Sequence, residues 1–258
     1  MQSLGKAVTR STSVGSSLPT IYGSMQQRKI TFRRGATSMI AGPPGSYKST
    51  LALNLLVGWA EKGKSALYVS ADSDEFTVGK RVAAIATGDK VSVVEKHLRK
   101  GAYSDVLNMP RVRFVFTPLD IRGLDRNLRA YEAVYGSFPD VIFIDNLTNA
   151  IDSGGEEWGA MRQMAKDLDT ISRASQSHVC ILHHSSESWE DQNPPPRWKI
   201  QGKVSAIPRL VLTMNAVGSH MMIACVKNTN GPQDPSAKDY DDYIIDTSTM
   251  RVRDAQNA

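Results

Sequence analysis

The chain has 258 residues, of which 41% are hydrophobic and 22% are charged, and its formal net charge is +5. This composition excludes an extensively disordered chain, and no apolar run approaches the roughly 20 residues of a membrane-spanning helix. Two cysteines, Cys180 and Cys225, lie in apolar stretches. They are too few for a disulfide framework and favour a reducing, cytoplasmic setting.

The N-terminal region is basic, because the first 60 residues contain no acidic side chain. A polyanionic partner, nucleic acid before membrane, would suit such a region, although a solvated tail would have the same composition. We expect residues 1–28 to form a flexible basic arm and residues 29–258 to form a single domain. The basic residues in the first 60 are Lys6, Arg10, Arg28, Lys29, Arg33, Arg34 and Lys48.

Beyond the arm, short β-rich runs alternate with longer segments of helical periodicity, a pattern typical of a parallel sheet covered by helices. In the last third, strands follow one another through short turns, which predicts antiparallel strands at that end of the sheet. The fold class is therefore α/β, with a mainly parallel twisted sheet flanked by helices. The predicted strands are 36–41, 66–70, 112–116, 141–144, 179–182, 210–214, 221–226 and 243–245. The predicted helices are 48–61, 76–87, 91–100, 124–135 and 156–175.

The segment between the first predicted strand and helix is a candidate phosphate-binding loop. Its glycines allow backbone N–H groups to turn toward phosphate oxygens, and the positive end of a helix follows. We expect Lys48 to reach the β- and γ-phosphates of ATP and the Ser49 hydroxyl to ligate Mg²⁺. Tyr47 stands where glycine is usual, so its side chain must point away from the nucleotide. The loop residues are Gly42, Pro43, Pro44, Gly45, Ser46, Tyr47, Lys48, Ser49 and Thr50.

Two further strands end in carboxylates. Asp145 follows the apolar strand 141–144 and is a candidate to hold Mg²⁺ through water. Asp72 and Asp74 follow strand 66–70, at the sheet edge where ligands bind in open α/β folds. We expect Asp72 to act on the attacking water, whereas Asp74 or Ser73 caps the next helix.

These segments resemble the RecA-like P-loop NTPase core, and in particular the motor domain of DnaB-type replicative helicases and their short RepA-like relatives. The resemblance covers about residues 31–245. It implies that Asp72 takes the place of the family's catalytic glutamate and that 144–147 is the Walker B segment. Strand 179–182 is followed by two histidines, of which His184 falls on the γ-phosphate sensor position. His183 points to the opposite face and is expected to be structural.

Residues 223–232 resemble the family's strand and loop that carry a lysine and an arginine two residues apart. In the family these two cations reach the γ-phosphate of the neighbouring subunit. Lys227 is retained, but Thr229 stands at the arginine position, so another residue such as Arg209 would have to supply that charge. The resemblance implies a homo-oligomeric ring, a hexamer, that binds ATP and Mg²⁺ at subunit boundaries. It also implies a stand-alone motor of the kind that phage or plasmid genomes carry in a bacterial host.

In RecA-like motors the loops after the Walker B and sensor strands face nucleic acid, and here these loops are 146–157 and 185–203. The first is acidic, with Asp152, Glu156 and Glu157, and is not expected to hold phosphates. The second combines cations with Trp189, Trp198 and the prolines 194–196, which suits single-stranded DNA but would also suit a solvated loop. The candidate DNA contacts are Arg197, Trp198, Lys199 and Lys203.

The predicted function is a Mg²⁺-dependent ATPase that couples hydrolysis to translocation on single-stranded DNA, or to DNA unwinding, in replication or recombination. One alternative is a recombinase or mediator that binds DNA as an ATP-dependent filament. A second is a weak regulatory NTPase, which Tyr47, Asp72 and Thr229 would favour.

Overall fold

The computed structural model describes residues 15–118, 120–147, 157–186 and 191–255. Its strands are β1 (Thr37–Gly42), β2 (Ala66–Ser70), β3 (Val112–Val115), β4 (Val141–Asp145), β5 (His178–His184), β6 (Leu210–Val217), β7 (His220–Asn228), β8 (Tyr240–Asp246) and β9 (Arg251–Asp254). Its α-helices are α1 (Gly23–Gln27), α2 (Lys48–Glu61), α3 (Glu75–Thr87), α4 (Val91–Leu98), α5 (Ser104–Leu107), α6 (Ile121–Tyr135) and α7 (Glu157–Ser175). Two 3₁₀ segments, Arg197–Lys199 and Gln201–Ala206, follow β5.

The described strands form one sheet in the order β3-β2-β4-β5-β1-β6-β7-β8-β9. The six strands from β3 to β6 are parallel, and β7, β8 and β9 are antiparallel. This arrangement confirms the predicted fold class. The elements that the sequence pattern missed are α1, α5 and β9, which have five, four and four residues and are too short for a periodic pattern.

The central parallel strands β1, β2 and β4 are buried on both faces, which explains why their sequences are largely apolar. On one face, Tyr68 and Phe143 pack with Trp59 of α2, and the Tyr68 and Phe143 ring centroids are 5.4 Å apart. On the other face, Ile144 packs with Leu168 of α7. No α-helix within the described ranges is long and apolar enough to cross a membrane.

The described part of the predicted N-terminal arm packs onto the domain. Leu18, Tyr22 and Met25 are buried in the α2 side of the core, and the Asp254 carboxylate accepts a hydrogen bond of 2.8 Å from the Gly23 N–H at the start of α1. Residues 15–28 therefore differ from the flexible basic arm that was expected: Arg28 is their one basic residue, and their apolar side chains are buried in the core. Residues 1–14 lie outside the described part of the chain.

The last strand, β9, is held against the helix that follows the candidate phosphate loop. Asn54 of α2 is buried, and its side-chain amide donates to the Met250 carbonyl at 2.8 Å and accepts from the Val252 N–H at 3.0 Å. The Arg251 guanidinium donates to the Ile85 and Ala86 carbonyls near the end of α3. These contacts cover the free edge of β9, where unpaired backbone groups would otherwise be exposed.

We expect Asn54→Ala to lower the free energy of unfolding by about 2–3 kcal/mol, because the Val252 N–H of β9 and the Met250 carbonyl just before β9 lose their partners. Urea denaturation followed by circular dichroism would measure the change. Asn127→Ala is the matched control, since the Asn127 amide bonds to the carbonyl four residues earlier in α6, as Asn54 does in α2. Equal losses in the two variants would contradict a special role for the contact with β9.

Candidate nucleotide-binding site

The candidate phosphate loop, Asp72, Asp145 and His184 meet in one cleft of about 420 Å³. The cleft lies at the carboxyl ends of β1, β2, β4 and β5, which are adjacent in the sheet and parallel. Ligands bind at this edge in open α/β sheets. The lining residues are Pro44, Gly45, Tyr47, Lys48, Ser49, Thr50, Asp72, Ser73, Arg81, Asp145, Asn146 and His184.

The loop turns tightly around the Lys48 side chain. The Lys48 ammonium donates to the Gly42 carbonyl at 3.0 Å and to the Pro43 carbonyl at 2.8 Å, and the Ser46 hydroxyl donates to the Pro43 carbonyl at 2.8 Å. Gly45 has φ +78°, which glycine adopts without strain. A phosphate group entering the loop would therefore meet an ammonium that is already positioned at the start of α2.

Tyr47, at the position where glycine is usual, has φ +64° and precedes the first residue of α2. This left-handed conformation disfavours most side chains and explains the usual preference for glycine. The Tyr47 ring packs against the α2 side of the core, although the residue also borders the cleft. Its burial compensates for the unfavourable backbone conformation.

Gly42 lies where β1 enters the loop, and it leaves no room for a side chain. A Cβ atom there would lie 2.5 Å from the Met214 carbonyl oxygen and 2.6 Å from the Ser46 hydroxyl oxygen.

We expect Gly42→Ala to displace the loop from β6 and to weaken binding of a fluorescent ATP analogue by tenfold or more, which corresponds to roughly 1.4 kcal/mol. Gly63→Ala, at an open position with φ +72° beyond the end of α2, is the control for a general loss of stability. Unchanged nucleotide affinity in Gly42→Ala would contradict this prediction.

Asp145 and Ser49, the two predicted magnesium ligands, both line the cleft. The Tyr68 hydroxyl donates to the Asp145 carboxylate at 2.5 Å. Burial raises the pKa of Asp145, while the hydrogen bonds from Tyr68 and Ser49 act in the opposite direction. Asp145 and Tyr68 share the α2 face because the register pairs Ser70 with Asp145 and Tyr68 with Phe143.

These oxygen donors fit Mg²⁺. In the described ranges no three His, Cys, Asp or Glu side chains are grouped as metal ligands. Mg²⁺ in nucleotide sites is held by one or two protein oxygens, with phosphates and waters completing its shell. Ser49 and Asp145 would therefore hold it, beside the ammonium of Lys48.

Asp72 and Asp74 have separate positions. Asp72 is exposed at the cleft. Burial has the largest effect on its two neighbours: it lowers the pKa of Lys48 and raises that of Asp145. The charge of Asp72 raises the pKa of both groups. Asp74 caps α3, since its carboxylate accepts from the Thr77 N–H at 2.9 Å and from the Thr77 hydroxyl at 2.8 Å. These hydrogen bonds lower the pKa of Asp74. Asp72 can thus approach a reacting water while Asp74 stabilises the helix.

Arg81 of α3 also lines the cleft, and the sequence motifs did not indicate it. Val78, Val82 and Ile85 form the buried stripe of α3, and Arg81 adjoins that stripe. Its position next to the buried stripe of the helix was therefore the one sequence feature that could have indicated Arg81. The half-buried Arg81 adds a second cation to the cleft, beside the buried Lys48.

The two histidines at the end of β5 face opposite sides of the sheet. His184 pairs with Gly42 in the register, and its Nε2 lies 3.4 Å from the Asn146 amide nitrogen within the cleft. His183 is buried on the α7 side, and its Nε2 contacts the Gln201 carbonyl at 3.1 Å. Burial lowers the pKa of His183 to about 4, so the ring is neutral at pH 7.

Lys227 does not border the cleft of its own chain. It lies on β7, level with Val211 of β6 and Met39 of β1, and its ammonium donates to the Ala206 carbonyl at 2.6 Å and the Ser205 carbonyl at 3.3 Å. A contact with a γ-phosphate would therefore have to be made to a neighbouring subunit. Such a contact stays a prediction.

The candidate DNA residues are divided between protein contacts and the surface. The half-buried Arg197 donates to the Ser205 carbonyl, whereas Trp198 is 69% exposed and Lys203 is also exposed. Lys199 is half-buried, and prolines 194–196 are buried, unlike a fully solvated loop. Trp189, Asp152, Glu156 and the Glu157 side chain lie outside the described part of the chain.

The buried state of Lys48 predicts a pH dependence of nucleotide binding. Burial lowers the pKa of Lys48 to about 8, while Asp145 and Asp72 partly oppose the effect. Above pH 8 the free protein would lose the charge that attracts phosphate, so ATP affinity should fall between pH 7 and pH 9. Fluorescence titrations at several pH values would measure this fall. Lys48→Arg, which stays charged, should remove most of the dependence; an equal dependence in both proteins would contradict it.

Comparisons with known proteins give a family for this chain and solved structures with a similar fold. The AAA domain family profile matches residues 29–190. The Gene 65 protein of Mycobacterium phage L5 is 30% identical over 94% of each chain. A solved ATPase domain has a TM-score of 0.79 at 12% identity, covering 97% of this chain and 95% of that one. A DnaB-like replicative helicase has a TM-score of 0.79 at 12% identity, covering 97% of this chain and 66% of that one.

The two solved structures share the fold of this chain, and at 12% sequence identity the similarity shows the fold alone. They confirm the resemblance to the ATPase domains of DnaB-type helicases at the level of architecture. The family profile covers well over half of the chain, and the phage relative aligns along nearly all of it. This protein therefore belongs to the AAA domain family and has a RecA-like P-loop ATPase fold.

Proposed function

We propose that this protein is a Mg²⁺-dependent ATPase that couples ATP hydrolysis to movement along single-stranded DNA, or to unwinding, in replication or recombination. The observation that carries the proposal is the convergence of Lys48, Ser49, Asp72, Asp145 and His184 on one cleft. They come from four separate segments of the sequence, and together they supply the groups that phosphoryl transfer requires.

In the proposed reaction, the triphosphate of ATP lies in the loop with its β- and γ-phosphates on Lys48. Ser49 and Asp145 would hold Mg²⁺, which would supply neutralisation of the phosphate charge. Asp72 orients a water and accepts its proton as the water oxygen bonds to the γ-phosphorus and the bond to the β-phosphate oxygen breaks. His184 contacts the γ-phosphate from β5, and Arg81 adds positive charge to the cleft.

The proposed assembly is a ring of six copies in the cytoplasm of a bacterial host. Lys227 supports it, because this lysine lies away from its own cleft and the family resemblance gives it a role in the neighbouring subunit. DNA would bind through the segment 197–203, where Trp198 offers an exposed ring for base stacking and Lys203 an exposed charge.

A weak regulatory NTPase is the second candidate. It is favoured by Thr229, which stands at the position of the family's second cation, and by Asp72, whose side chain is one methylene shorter than glutamate. A filament-forming recombinase or mediator would use the same cleft and is distinguished by its assembly rather than by its site.

The test is steady-state ATP hydrolysis with and without poly(dT), together with native mass spectrometry of the complex. A DNA-stimulated rate that falls steeply with salt and a mass of six subunits would support the proposal. DNA-independent slow turnover would favour the regulatory NTPase, and an open-ended series of masses would favour a filament. Absence of turnover under all conditions would refute an ATPase function.

A further inference from the structure

The 3₁₀ segment Gln201–Ala206 is held at its carbonyl end by two cations. The Lys227 ammonium donates to the carbonyls of Ala206 and Ser205, and the Arg197 guanidinium donates to the same Ser205 carbonyl at 3.3 Å. Lys227 comes from β7, whereas Arg197 belongs to the preceding 3₁₀ turn. Strand β7 is thus hydrogen-bonded directly to the segment that carries Lys203, one of the candidate DNA contacts.

The start of the same segment is tied to β5 and α7. His183 of β5 contacts the Gln201 carbonyl, and Ser185 forms a bridge with Ile200. The Trp158 ring of α7 lies so close to Gly202 that a Cβ atom there would be 2.7 Å from the ring. The segment 200–206 therefore contacts the strand that carries His184 and the helix that follows the Walker B loop.

The segment has little stability of its own. Gly202 and Lys203 interrupt it with φ values of +69° and +53°, and 3₁₀ hydrogen bonds have poorer geometry than those of an α-helix. A lysine in the left-handed region is unfavourable, by roughly 1 kcal/mol. The position of Lys203 therefore depends on the contacts at the two ends of the segment and on the buried side chain of Val204.

We propose that Lys227 is a positioning residue for the DNA-contacting segment of its own subunit, and that it must leave this segment to reach a neighbour's γ-phosphate. The nucleotide and DNA parts of this inference rest on the proposed function, whereas the tether itself does not. An ammonium group forms stronger hydrogen bonds with phosphate oxygens than with neutral carbonyls. ATP bound to the neighbouring subunit would therefore draw the Lys227 ammonium away from the Ser205 and Ala206 carbonyls. The segment 197–206 would then loosen. Lys227 would either hold this segment in place for DNA binding or contact the γ-phosphate of the neighbouring subunit, but not both at once.

Hydrogen exchange with mass spectrometry tests the tether in the full chain without nucleotide. We expect Lys227→Met to speed exchange of peptides covering 197–207 by about tenfold, while peptides of β1 to β5 stay unchanged. Lys227→Arg, which keeps the donors, should restore slow exchange. Lys238→Met, at an exposed lysine between β7 and β8, is the matched control and should behave like the wild type. If Lys227→Met unfolds the chain globally, the comparison of Lys227→Arg with Lys227→Gln replaces it.

Binding of a fluorescent dT oligonucleotide tests the consequence. Lys227→Met should weaken nucleotide-free DNA binding several-fold, whereas a purely trans-acting lysine would leave it unchanged. A non-hydrolysable ATP analogue should speed exchange at 197–207 in the wild type but not in Lys227→Met. Unchanged exchange in Lys227→Met would overturn the inference. Faster exchange in a protein that binds no DNA would refute the proposed function and the DNA part of the inference, and would leave the tether established.

Discussion

Replacing Lys48 by alanine is expected to reduce ATP turnover roughly 100- to 1000-fold, the range seen when one group that stabilises transition-state charge is removed. Lys48 is the buried cation at the start of α2, and its ammonium already lies inside the loop, on the Gly42 and Pro43 carbonyls. Phosphate release from ATP, measured at saturating nucleotide, would report the loss.

The same substitution should leave the fold intact. Burial opposes the charged form of Lys48, so removing the ammonium relieves a desolvation cost as it removes two hydrogen bonds. Thermal unfolding would therefore change little, which separates a catalytic effect from misfolding. Lys62→Ala, at the exposed end of the same helix, is the matched control and should retain turnover. Near-normal turnover in Lys48→Ala would show that this loop is not the site of hydrolysis.

Asp72→Asn is expected to lower turnover by about 100-fold or more while nucleotide binding persists, because a general base contributes on the order of 10²- to 10⁴-fold. Asp72 is exposed beside the cleft, so the amide should fit without affecting the core. Single-turnover hydrolysis and analogue binding, measured on the same preparation, would separate the chemical step from affinity.

Two further variants sharpen this experiment. Asp74→Asn should retain turnover, because Asp74 caps α3 and asparagine is an equally good cap. Asp72→Glu should retain or increase turnover if the acidic group positions water, since it reaches one methylene further into the cleft. A loss in Asp74→Asn equal to that in Asp72→Asn would assign the effect to the local fold rather than to catalysis.

The elements that could be predicted from sequence are those with local patterns. The buried, largely apolar strands β1, β2, β4 and β5 and the loop before Lys48 are recognisable, because strand burial and glycine-rich turns produce sequence patterns within about ten residues. Asp145 could be expected at the cleft because it directly follows such a strand. The roles assigned to these side chains stay predictions.

Long-range contacts could not be predicted in this way. Arg81 reaches the cleft through the packing of α3, and no motif surrounds it. The contact of Lys227 with residues 205 and 206 joins segments about 20 residues apart that no periodicity connects. Residues 15–28 were expected to be flexible as part of the arm 1–28, whereas a few apolar side chains place them in the core.

The contact between Asn54 and β9 extends the nucleotide-binding unit beyond its recognisable motifs. The family profile ends at residue 190, yet Met250 and Val252 brace the helix whose first turn carries Lys48 and Ser49. A protein trimmed to the matched residues would keep every residue that lines the cleft and lose the scaffold behind them. We therefore expect β9 to be part of the smallest stable unit that binds nucleotide.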